Sequence, residues 1–197
     1  MGLDSVVLLM DIEKHFDISI SDQEAENIYT VQDFADCVYK HMTIKASDKC
    51  FSQILFYRLR NMLVDILDID KNRIKLDSRL DELIPSDNKE QIWGKIVSDL
   101  NLRAPELNNN YNKFTRKESR FLFITYSKRS LSLEKTTMKD LINWLLALNH
   151  EKLLPIERIC SRSDIERIVI GIVHQSCGIP INEIELGQSI TYDLGID

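Results

Sequence analysis

The sequence predicts an all-α chain made of two small helical bundles, one of them closed by the two ends of the chain. Three observations lead there. Apolar residues recur at helical spacing along most of the chain, while strand-like alternation is nearly absent. Residues Ile69-Asp70-Lys71-Asn72-Arg73-Ile74-Lys75-Leu76, followed by Ser78 and Leu83, repeat as Ile179-Pro180-Ile181-Asn182-Glu183-Ile184-Glu185-Leu186, followed by Ser189 and Leu194. Finally, Thr30-Val31-Gln32-Asp33-Phe34 resembles Thr137-Met138-Lys139-Asp140-Leu141, and each opens a helical stretch. The middle module, 50–150, holds both repeats in order. The outer module has its second half at 1–45 and its first half at 160–197, so it reads as circularly permuted, with linkers at 46–49 and 151–159.

The elements follow from caps and periodicity. Apolar positions 6–10 and 12 predict a largely buried helix over 5–15, with Ser5 or Asp4 capping its first turn. Ile18 and Ile20 form a short extended link, and residues 22–26 an acidic turn or helix. Thr30 and Asp33 make a capping box for a helix to His41, with Phe34, Val38 and Cys37 inward. A helix over 51–67 carries Ile54, Leu55, Leu59, Met62, Leu63, Ile66 and Leu67 on one stripe. Single anchors (Ile69, Ile74, Leu76, Leu80, Leu83) hold a loop that stops at Pro85, and a helix over 87–101 presents Ile92, Trp93, Ile96 and Leu100. Residues 103–119 are polar and read as mobile, while 120–126 fit either a buried helix or a short strand. Thr136 or Thr137 caps a helix to about His150. The last long helix, 163–177, stacks Ile165, Ile168, Val169, Ile172 and Val173 and ends at Gly178.

Bulk properties exclude several classes. A net charge of −6 and a pI near 5.3 argue against nucleic acid as a partner, because phosphate binding needs a basic face. No apolar run reaches the roughly 18–20 residues that span a bilayer. The four cysteines (37, 50, 160 and 177) form no C-x-x-C pair and read as reduced thiols of a cytoplasmic protein.

The run Ile12-Glu13-Lys14-His15-Phe16-Asp17-Ile18-Ser19-Ile20, with Glu24-Ala25-Glu26, Thr30-Val31 and Asp33 behind it, resembles the second half of an acyl carrier protein. Gly178-Ile179 through Asn182-Glu183-Ile184, Ser189 and Asp193-Leu194-Gly195-Ile196-Asp197 resembles the first half. The middle module is similar more loosely. The resemblance implies four-helix bundles and a non-catalytic protein of lipid or secondary metabolism. It also implies a serine bearing 4′-phosphopantetheine at the start of the second helix, where free amides and the helix dipole favour an anion. Partners implied are phosphopantetheinyl transferases, acyl-transfer enzymes or another carrier.

Two registers place that serine differently. Without a gap, Gly2 occupies the serine position and Ser5 falls three residues later. The rival register reads Gly2-Leu3-Asp4-Ser5-Val6 as the attachment motif, at the cost of a shift of the helix by nearly a turn. In the middle module Ser86 takes the carrier-serine place, between Pro85 and Asp87, and competes with a plain cap. Two readings therefore stand: a carrier loaded on Ser5, or an unmodified relative acting as an interaction module. Val7 replaces an expected acidic residue, which favours the two modules packing together over it.

Other chemistry is thin. His15, His41, His150 and His174 read as isolated surface or helix-end residues, so no metal site is expected. Cys177 reads as a buried thiol. The pairs Asp4/Asp11 and Asp81/Glu82 read as solvated carboxylates. The basic cluster Lys113, Arg116, Lys117, Arg120, Lys128 and Arg129 is a candidate docking site for an acidic partner such as a true carrier protein. Closure of the outer module within one chain, or between two by exchange of the terminal helix in a domain-swapped dimer, both suit the sequence.

Overall fold

A computed structural model describes residues 2–44, 50–107 and 133–197. The basic cluster and the ambiguous segment 120–126 lie outside these residues. Among the described residues the chain is all-α: nine helices and no strand. They are α1 (Leu3–Phe16), α2 (Asp22–Ala25), α3 (Val31–His41), α4 (Phe51–Leu67), α5 (Leu80–Leu83), α6 (Lys89–Leu100), α7 (Met138–Leu148), α8 (His150–Leu153) and α9 (Arg162–Cys177). None of them is long and apolar enough to cross a membrane.

Helix starts follow the capping rules. Thr30, Thr137 and Ser161 each accept the amide three residues on, while Asp33, Asp140 and Asp164 bond back to the cap. Thr137, not Thr136, caps α7. Gly178 ends α9 in the left-handed conformation that glycine adopts without penalty. At α1 the expectation fails: Gly2 is the cap, without a side-chain bond, and Ser5 lies inside the first turn.

The centre of the molecule is α9, buried on nearly every face from Ile165 to Val173. It packs against α1 and α3 of the chain's beginning and against α7 of the middle segment; α7 in turn packs on α4, and α4 on α6. Helices of the outer and middle segments thus share one core. Their contact runs through α7 and α9. It does not cover Val7 of α1, which remains 46% exposed. The predicted largely buried α1 is half right, since only Ser5, Leu8, Ile12 and Phe16 are buried. Ile54 and Leu76 also face outward instead of anchoring the core.

The two repeats meet in the same way twice. In the middle segment the Lys139 and Met138 amides donate to the Leu76 and Ser78 carbonyls (both 2.9 Å), and the Leu80 amide donates to the Thr136 carbonyl (2.9 Å). In the outer segment the Gln32 and Val31 amides donate to Leu186 and Gln188 (2.8 and 3.2 Å), and the Ile190 amide donates to Tyr29 (2.9 Å). Each extended segment thereby satisfies the first amides of a helix that has no intrahelical partner for them. The match corrects the sequence alignment of the repeats, since Ser78 corresponds to Gln188, one residue before Ser189. Their side chains do the same task. Ser78 Oγ accepts the Lys75 amide and Gln188 Oε1 accepts the Glu185 amide.

Gly171 of α9 lets α7 and α8 approach: a Cβ there would stand 2.3 Å from the Ala147 carbonyl oxygen and 2.4 Å from His150 Nδ1. Gly94 on α6 has nothing within 4 Å. Gly171→Ala is predicted to destabilise the chain by about 1–3 kcal/mol through overpacking. Gly94→Ala is predicted to stabilise it by about 0.5–1 kcal/mol through chain entropy. Urea unfolding of both variants checks the opposite signs.

Candidate functional site

The start of α1 is where both chain ends meet. The Ser5 amide donates to the Asp197 carbonyl at 2.8 Å, and the Ile196 amide donates to Ile190, which holds the tail in a turn. Residues 5 and 197 thus meet within one chain in this structure. Ser5 is only 4% exposed, and its hydroxyl donates to the Gly2 carbonyl at 2.9 Å. Gly2 is exposed, but a Cβ on it would meet the Asp197 carbonyl carbon at 2.1 Å. From this end α1 presents Leu3, Val6, Val7 and Met10 to solvent, at 79, 39, 46 and 60% exposure. The acidic side chains beside this stripe differ in use. Asp11 accepts the Ser176 hydroxyl of α9 at 2.5 Å, and Glu13 accepts the Ile20 amide at 2.7 Å. Cys177, partly buried beneath, has its thiol pushed up to about 11 by burial, then by Asp4 and Asp11, so it is no nucleophile near neutrality.

Ser86 opens a 3-10 turn (Ser86–Asn88) ahead of α6 and is exposed, with its hydroxyl donating to Asp87. It caps nothing. Asp81 and Glu82 both lean on Arg79, whose guanidinium holds the Asp81 carboxyl below its usual range. They form an exposed ion-pair cluster.

The histidines are not isolated, contrary to the sequence reading. The rings of His15 and His150 meet edge to face at 5.1 Å, and His150 is fully buried. His150 Nδ1–H donates to the Ala147 carbonyl, so its Nε2 carries the lone pair; that atom and His15 Nε2 are buried without a hydrogen-bond partner. Burial lowers both histidine pKa values, and for His15 the neighbouring His150 lowers it further. No sequence signal joins residues 15 and 150; only packing of α1 and α8 around α9 does. His41 is the second case. Its Nε2–H donates to Glu24 Oε1 at 2.9 Å, and Cys37 lies one turn before it on α3. That four-residue spacing was visible in the sequence; Glu24 was not, because its approach depends on how α2 folds back.

Comparison with known proteins touches part of the chain. Over 39 residues it is 55% identical to the acyl carrier proteins of Buchnera aphidicola subsp. Acyrthosiphon pisum, strains Tuc7 and APS, covering 20% of this chain and 49% of theirs. Over 46 residues it is 47% identical to the acyl carrier protein of Karelsulcia muelleri (strain GWSS), covering 23% and 55%. The chain thus spans about half the length of the relatives it matches, and over that part it is carrier-protein-like. No family model matches it, and no solved structure does.

The histidine pair gives a pH prediction. The unfolded chain takes up protons near the ordinary histidine value of 6.5, whereas the folded chain does so only at lower pH. Between those values the unfolded state binds more protons, so the stability present above 6.5 falls as pH drops below it. Urea midpoints should decline from pH 7 to 5.5, and decline less in His15→Gln.

Proposed function

We propose that the chain is a non-catalytic, acyl-carrier-like protein, and that in the closed form described here it acts as an unmodified interaction module. One observation carries this reading: the tail occupies the helix start where a carrier's phosphodiester would sit. The Ser5 amide, one of the unpaired first-turn donors that favour an anion, is already taken by Asp197. The Ser5 hydroxyl is buried and bonded inward, and the exposed neighbour, Gly2, has no hydroxyl. Ser86 is exposed but stands ahead of α6, away from its first turn. The residues present therefore do not fit an attached 4′-phosphopantetheine without movement of the tail. In carriers the helix after the attachment serine meets partner enzymes; here the corresponding face is the apolar stripe Leu3, Val6, Val7 and Met10. Its partners in this reading are acyl-transfer enzymes or another carrier.

The outer segment closes as a permuted carrier bundle in this reading, supported by the twice-repeated hydrogen-bond pattern and by the meeting of the two ends. The alternative, a carrier loaded on Ser5, is favoured by the local order Gly2-Leu3-Asp4-Ser5-Val6 and by the sequence identity to acyl carrier proteins.

Intact mass after incubation with a phosphopantetheinyl transferase and coenzyme A separates the two. The unmodified reading predicts no gain. A gain of one phosphopantetheine, absent in Ser5→Ala, would establish the loaded carrier instead.

A further inference from the structure

Glu24 of α2 and Cys37 and His41 of α3 bring three metal-ligating atoms together. The carboxylate oxygen, the thiol sulfur and the imidazole nitrogen all lie within 4.8 Å of one another. Two separate devices bring them there. Cys37 and His41 are four residues apart on α3, hence on one face of that helix. Glu24 is fixed by the capping box of α2: the Ser21 amide and hydroxyl hold Oε2 (3.0 and 2.7 Å), which leaves Oε1 facing His41 at 2.9 Å. The carboxylate is thus oriented by contacts that a metal would leave intact, the usual arrangement behind a first-sphere ligand. Cys37 is 6% exposed and His41 is accessible, so the cluster opens to solvent on one side.

We propose that Glu24, Cys37 and His41 form a binding site for a zinc-like divalent cation, with water in the fourth position. Thiolate, imidazole and carboxylate together suit tetrahedral zinc, whose ligand bonds of about 2.0–2.3 Å set ligand-to-ligand separations near 3.5 Å. The Glu24–Nε2 contact would lengthen slightly and the sulfur would draw in to reach those separations. Glu24 is ionised over the whole neutral range, held down to about 2 by Ser21 and then His41. The Cys37 thiol is raised by burial and by Glu24, so it arrives protonated. Binding therefore breaks one S–H bond, forms one sulfur–metal bond and releases that proton to solvent, while the proton that Nε2 shares with Glu24 moves through solvent to Nδ1, freeing the Nε2 lone pair of the neutral ring for the metal. The consequence is structural. Helix α2 has only four residues, too few to be stable alone, and the metal would pin it to α3.

Cobalt titration of the purified full chain tests the site. One equivalent of Co2+ should give a thiolate-to-cobalt charge-transfer band with visible ligand-field bands of tetrahedral intensity, and added Zn2+ should abolish both. His41→Ala, a change at an accessible position, and Cys37→Ser should each weaken binding by more than the roughly 10–100-fold that outer-sphere changes cause. Absence of the bands in the wild type, or their persistence in either variant, would overturn the proposal. The readout is independent of carrier loading, so it stands or falls apart from the functional reading above.

Discussion

The architecture rests on unpaired backbone amides at the starts of helices. A helix leaves its first amide donors without intrahelical acceptors, and in a packed interior these must find partners. Here the partners come from the far end of the sequence. The 186–190 segment supplies carbonyls to the first two amides of α3, and Asp197 supplies one to α1. With the same stroke the tail places Ile184, Ile190 and Ile196 in the core. Without this docking, α1 and α3 would lose these acceptors for their first-turn amides together with an apolar wall.

That same docking decides how the α1 end reads chemically. A helix start is an anion site only while its amides are free. Giving one of them to the chain's own carbonyl exchanges a recognition feature for a structural one, and burying Ser5 Oγ does the same to its hydroxyl. What remains outward is an apolar stripe, a surface suited to contact with a partner. The chain is carrier-protein-like in sequence over the part that matches, and under the proposed reading it departs from a carrier at the atoms that would hold a cargo.

Much of this was legible in the sequence because caps are local. Thr30 with Asp33, Thr137 with Asp140, and Gly178 declare helix ends through contacts three or four residues away. The paired repeats were also visible, and each pair makes the same backbone contacts. Failures cluster where identity and geometry part. Ser189 looked like the counterpart of Ser78, yet Gln188 bonds in its place, since a longer amide side chain reaches the same backbone donor. Val7, Ile54 and Leu76 are apolar but face water, which periodicity alone does not settle when a helix has apolar residues on several sides. His15 with His150, and Glu24 with Cys37 and His41, arise from packing between elements and leave no spacing signal across the gap.

Joining the ends and opening the chain elsewhere tests the central claim most directly. A permutant beginning at Cys50, running through Asp197 and a short glycine linker into Gly2, and ending at Ile44 keeps every described helix. Adjacent ends tolerate such a junction. If the tail docks on α1 and α3 as described, the permutant will be a folded monomer with a cooperative unfolding transition, its stability within about 1–2 kcal/mol of the parent, the span of an ordinary single substitution. A permutant that fails to fold, or that recovers structure only by pairing chains, would contradict the account.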